Sequence, residues 1–360
     1  MAASTRIPWW AWAGPALACA ILITTIFTGA GGVIAAVAGA ALIASVFAAV
    51  YHAEVVAHRI GEPFGTLVLA VAVTVIEVAL IVSVMMAAAG DKSGLARDTV
   101  FASVMIACNG IVGLCLLSGG VRHHEQDFQV QGASAAFAVL AALTTLTLIL
   151  PNVTTSVAGP VFNTSQLVFA GIISLVLYGS FIFVQTVRHR DYFLPAEIGS
   201  EEVHAPPPSD TIALLSAGLL LAALVAVVGL AKALTPTLET GVARFDAPKA
   251  VVGVVIAALV LLPEGLSALR AARANRLQTS LNLALGSALA SIGLTIPAVA
   301  IVSIVLRQPL ELGLGVKDEV LLALTLIVGV ITLGTGRTTV LQGIVHLVIF
   351  AAFLFLAVVP

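Results

Sequence analysis

Runs of about twenty apolar residues recur along this whole chain, separated by short stretches that hold nearly all of its charge. A helix needs about 20 such residues to cross the hydrocarbon core of a bilayer. Counting between charged or Pro/Gly-rich breaks predicts about eleven spans, over 9–28, 31–57, 63–89, 98–120, 132–150, 164–187, 210–234, 248–272, 276–306, 318–335 and 338–358. The expected fold is therefore an all-α integral membrane protein. Only 9% of the 360 residues are charged and 60% are hydrophobic, whereas soluble domains carry about 25% charge. A soluble surface of that size cannot be covered with so few polar groups, so the outer surface must face lipid. Ala, Val, Leu, Ile and Gly fill the runs, a mix that lets transmembrane helices approach closely.

The net charge of −2 is uninformative about partners, and no segment has the Lys/Arg density that nucleic-acid binding requires. Cys19, Cys108 and Cys115 all lie inside apolar runs and read as reduced packing residues. Trp9, Trp10 and Trp12 follow Arg6 and suit a membrane–water interface, so the first run reads as a span rather than as a signal peptide.

The longest polar stretch, 188–209, holds charges of both signs and Pro206-Pro207-Pro208. It reads as a surface linker, with Glu197, Glu201 and Glu202 leaving an acidic regulatory segment as a second reading. The expected organisation is an N-terminal helix over 1–30, a five-helix repeat over 31–187, the linker, and a second five-helix repeat over 210–360. Each half has a helix with a central glutamate, Glu77 in TVIEVALIV and Glu264 in LLPEGLSAL. Each is followed by a helix of small and polar residues, the first with Asn109 and the second with Asn282, Ser287 and Ser291. An odd number of helices per repeat turns the second copy upside down, the plan of secondary transporters with a midplane ion site. With the N-terminus in the cytoplasm, nine basic residues fall inside (Arg6, Arg59, Arg122, Arg188, Arg190, Arg270, Arg273, Arg276, Arg337) and seven outside (Lys92, Arg97, Lys232, Arg244, Lys249, Arg307, Lys317). The positive-inside bias favours that orientation narrowly, in the cell's inner membrane.

Glu77 lies about fourteen residues from both Pro63 and Asp91, some 20 Å along its helix at about 1.5 Å per residue. Glu264 lies beyond the middle of its own helix. An ionised carboxylate at that depth costs roughly 2.5–3.5 kcal/mol or more and usually faces a cavity or a partner. No Lys or Arg occupies a matching depth. Two such carboxylates explain antiport. Desolvation and mutual repulsion let them take up protons, and a divalent cation neutralises both instead. If the empty, doubly charged site is too costly to reorient, only filled states cross, and alternation between protons and metal is exchange. Ca2+ takes about six to eight oxygens, so hydroxyls, an amide, water and freed carbonyls would complete the set. Asn109, Ser287 and Ser291 are candidates, against a role in interhelical hydrogen bonds. Pro263 and Pro297 would kink their helices and free carbonyls.

These residues carry a resemblance. HAEVVAHRIGEPFGTLVLAVAVTVIEVALIVSVMMA is similar to the first block of bacterial calcium/proton exchangers of the ChaA type, and CNGIVGLCLL, FVQTVRHRDYFLP and LLPEGLSALRAARANRLQTSLNLALGSALASIGLTIP resemble later blocks in the same order. The resemblance implies the cation/proton exchanger fold of the cation/calcium exchanger superfamily. It implies Ca2+/H+ exchange, often with Na+ or K+ in this branch, and no resident cofactor. It implies that Glu77 and Glu264 bind the cation and the proton, with Asn109 and Ser287 at polar positions nearby. Many members have an Asn three residues before each glutamate. Here Thr74 keeps one oxygen and Leu261 keeps none, which leaves room for monovalent ions.

His52, Glu54 and His58 cluster at the end of the second span and suggest a proton-entry relay or a metal site, against the blander reading of a polar helix end. There is no HExxH. His123 and His124 are expected to meet only water, and His346 and Gln342 to make packing hydrogen bonds. Three other functions remain open at this point: a monovalent cation/proton antiporter with minor Ca2+ activity, an intramembrane metalloenzyme using His52, Glu54 and His58, and a channel.

Overall fold

The computed structural model describes residues 7–29, 31–61, 64–87, 94–194, 207–244, 248, 250–308 and 310–359. Arg6, Lys92, Lys249 and residues 195–206, with the acidic reading of Glu197, Glu201 and Glu202, lie outside them.

The fold is almost wholly helical. Helices run over α1 (Trp9–Thr28), α2 (Gly32–Ile60), α3 (Phe64–Ala87), α4 (Leu95–Met105), α5 (Val112–His123), α6 (Val130–Thr144), α7 (Thr164–Phe183), α8 (Asp210–Arg244), α9 (Ala250–Arg273), α10 (Leu277–Leu306), α11 (Val316–Leu333) and α12 (Val340–Val358). A π-helical turn, Ile106–Ile111, joins α4 to α5 in one continuous rod, and further π turns extend α6 (Thr145–Ile149) and α7 (Val184–Arg188). Among the described residues ten helices are long and apolar enough to cross a bilayer, which makes this a multi-pass membrane protein. The eleventh, α11, begins with Lys317, Asp318 and Glu319. Gly29 (φ 78°) and Gly32 (φ 54°) separate α1 from α2, and Gly336 (φ 73°) turns the chain between α11 and α12. Those φ values are strained for any residue with a Cβ.

The chain packs as two units, each drawing helices from both sides of the polar stretch. One holds α1, α2, α3 and α8. Here α2 presents Ala38, Ala41, Ser45, Ala48, Ala49 and Ala53, all buried, and packs most extensively on α8. Small side chains let two backbones approach, close enough that Ser45 Oγ donates to the Ala223 carbonyl at 3.3 Å. α1 lies against both helices. Its Pro15 has no N–H, so the Ala11 carbonyl four residues back loses its helical donor. His52 of α2, fully buried, supplies one: its Nε2 lies 2.9 Å from that carbonyl.

The second unit is built round the rod α4–π–α5, most of whose residues are buried. α9, α10 and α12 pack along it. Glycines set the α5–α12 contact: a Cβ on Gly343 would lie 2.9 Å from Leu117 Cα, and one on Gly120 2.8 Å from Val340 N. At one end, Gln126–Asp127 and Arg337–Thr338 pair as a two-stranded antiparallel ribbon. There Gln126 donates to the Ala272 carbonyl and to Asn275 Oδ1, both at 2.9 Å, which ties the α9–α10 turn to the ribbon. His123 is half-buried and bonds the Arg273 carbonyl at 3.1 Å, while His124 is exposed as expected. The expectation that both histidines meet only water therefore fails for His123, because the α9 C-terminus offers it a carbonyl.

Candidate functional site

Glu77 lies in the middle of α3 and is 1% exposed, among Val73, Ile76, Leu80 and Ile81. One turn earlier, Thr74 is also buried, and its hydroxyl has no hydrogen-bond partner among the described residues.

Glu264 lies just past the centre of α9 and is half-buried. Pro263 stands inside the helix and cannot donate to the Leu259 carbonyl, one turn back. The next residue, Gly265, is seated on the rod: a Cβ there would lie 3.1 Å from Ile111 Cδ1. On α10, Ser287, Ser291 and Thr295 recur every four residues and form a stripe on one helix face. Ser287 is half-buried; Ser291 and Thr295 are buried. Pro297 frees the Gly293 carbonyl in the same way. Thr295 shares the helix face of the two serines, a relation its i, i+4, i+8 spacing carries in the sequence. Asn282 instead serves structure, donating to the Phe193 carbonyl at 2.6 Å.

Asn109 sits in the π turn, fully buried, and both ends of its amide are engaged. Nδ2 donates to Thr325 Oγ1 of α11 at 2.9 Å, and Oδ1 lies 3.0 Å from Nδ1 of His346 on α12. Asn109 thus bonds α11 and α12 from within the rod. His346 and Gln342 make packing hydrogen bonds as expected, Gln342 through a capping box with Thr339.

The structure does not assemble His52, Glu54 and His58. His52 turns to α1, drawn by the carbonyl that Pro15 leaves open, while Glu54 and His58 are exposed. Among the described residues no group of three His, Cys, Asp or Glu side chains is arranged to hold a metal. The metalloenzyme reading loses its site.

The sodium/calcium exchanger protein family model matches residues 30–187 and 215–359. This chain belongs to that family. The exchanger is 50% identical over 363 residues to the ionic transporter y4hA of Sinorhizobium fredii, covering 99% of this chain and 98% of that one. It is 36% identical over 316 residues to the sodium-potassium/proton antiporter ChaA of Escherichia coli, covering 87% and 85%. Among solved structures, native YfkE superposes with a TM-score of 0.74 at 19% identity, covering 98% of this exchanger and 99% of that chain. The exchanger is accordingly a transport protein and not an enzyme. Glu77 lies in the first matched stretch and Glu264 in the second.

Proposed function

We propose that this exchanger is an antiporter that moves cytoplasmic Ca2+ outward against inward proton flow, with Na+ and K+ as further substrates, across the cell's inner membrane with the N-terminus in the cytoplasm. Glu77 and Glu264 hold protons and the cation in alternation. The observation that carries the reading is a carboxylate near the middle of each of two otherwise apolar spans, α3 and α9. Acids at that depth are kept where they bind a transported ion or proton. Each carboxylate ionises at a cost unless a cation accompanies it. A cycle in which the acids are always either protonated or cation-bound therefore avoids the charged empty state, and that avoidance couples the two fluxes.

Thr74, Ser287 and Ser291 supply oxygens to the cation, and Pro263 and Pro297 free the backbone carbonyls beside them. The cation is cargo, and the cycle requires no resident cofactor. The two family-matched stretches bracket the polar segment. That supports one N-terminal helix followed by two five-helix repeats of opposite orientation.

A second reading is a Na+ and K+/proton antiporter with minor Ca2+ activity. It is favoured by the name of the Escherichia coli relative and by Leu261, an apolar side chain one turn before Glu264. Proton release in inverted vesicles, followed by fluorescence dequenching on addition of Ca2+, Na+ or K+, separates the two readings. Glu77→Gln and Glu264→Gln are expected to abolish the response while the protein still inserts. A normal response in either variant would refute the assignment, and ion flux without reciprocal proton flux would identify a channel.

A further inference from the structure

The rod α4–π–α5 has one helical irregularity, the turn Ile106–Ile111, where the Val112 N–H reaches back five residues to the Ala107 carbonyl. Such a bulge shifts the register of everything beyond it and leaves a neighbouring carbonyl without its regular donor. The imidazole of His346 holds the turn at Asn109, whose Oδ1 lies 3.0 Å from Nδ1.

The direction of each bond follows from its neighbours. Thr325 Oγ1 donates to the Leu321 carbonyl at 2.8 Å, so toward Asn109 it accepts, and the amide nitrogen must face it. Asn109 Oδ1 therefore faces His346 and accepts from Nδ1–H. Nε2 is left as the acceptor for the Thr332 hydroxyl, 3.1 Å away. Every member of this buried chain has a partner, and the order admits one tautomer of neutral His346.

The bulge in turn bears on Glu264. Ile111, the last residue of the π turn, is the side chain against which Gly265 is seated. A change in the register or roll of the bulge moves Ile111 and, through it, the segment of α9 that presents the carboxylate.

We infer that His346 is a positioning residue for ion exchange: it clamps the π turn of the rod through Asn109, and the clamped turn sets the place of Glu264 through Ile111 and Gly265. His346 does not touch the cation. The inference rests on the reading of Glu264 as an ion-binding group.

The test compares purified variants of the full chain in proteoliposomes, reading the Ca2+ concentration for half-maximal exchange separately from the maximal rate. His346→Leu removes the donor to Asn109 and is expected to raise half-saturation about tenfold, as loss of a supporting hydrogen bond does in metal sites. His346→Gln, which keeps a donor and an acceptor on one planar group, is expected to restore most of it. Ile111→Ala leaves the hydrogen-bond chain intact and is expected to shift half-saturation in the same direction. If His346→Leu does not fold, Ile111→Ala and Thr332→Val carry the test. Half-saturation unchanged in the variants that fold, or a loss confined to thermal stability, would overturn the positioning role. Exchange that survives Glu264→Gln would instead overturn the antiport reading itself, so the two failures are distinguishable.

Discussion

His52 Nε2 donates to the Ala11 carbonyl across 2.9 Å, in the place of the backbone N–H that Pro15 lacks. The contact fixes α1 on α2 at a fully buried point. His52→Leu leaves the carbonyl unpaired, and the expected loss is about 1–3 kcal/mol, read as a lower melting temperature in detergent. Pro15→Ala gives the helix its own donor back. The double variant should therefore recover most of that loss, and a double-mutant cycle without coupling would refute the account.

Thr74→Val keeps the shape of the side chain and removes the orphan hydroxyl. If the hydroxyl serves only the fold, the change is neutral or stabilising. The expectation is that stability holds while half-saturation by the transported cation rises about tenfold. Equal half-saturation would remove Thr74 from the binding set.

Leu261 is buried one helical turn before Glu264. Leu261→Asn adds an amide oxygen at that position, and hard oxygen ligands favour Ca2+ in proportion to their number. The expected result is a rise in Ca2+ response relative to Na+ and K+ in the vesicle assay. A selectivity ratio equal to wild type would show that this position does not face the ion.

Gly343 lets α12 lie on the backbone of α5, with Gly113 O only 3.0 Å from the position a Cβ would take. Gly343→Ala must push the helices apart, and overpacking of this kind costs about 1–3 kcal/mol. Thermal unfolding of the purified variant measures it. Gly286, with open space at its Cβ position, serves as the control: Gly286→Ala should not destabilise.

The boundaries of the spans were legible because hydrophobic length is a local property. The run 9–28 became Trp9–Thr28, and 276–306 became Leu277–Leu306. Where the reading fell short, at α8, the helix continues through Pro236 to Arg244, into a less apolar stretch. Helical backbone bonds need no apolar side chain to persist once a helix has begun. The positions of Glu77 and Glu264 along their helices were equally legible, since counting residues along a helix gives distance.

What each polar side chain does was not legible. Asn109, His346 and Thr332 are separated by hundreds or tens of residues, yet they form one chain of hydrogen bonds. His52 reads as a neighbour of Glu54 and His58 along the sequence and is in fact the partner of Ala11. The sequence by itself determined where the long apolar helices lie and which acids they carry, because hydropathy and helical rise act residue by residue. Only the tertiary structure decided which side chains meet across helices and which of them satisfies the carbonyl that Pro15 leaves open. A hydrogen bond depends on which helices face each other, and that is fixed by packing between distant segments.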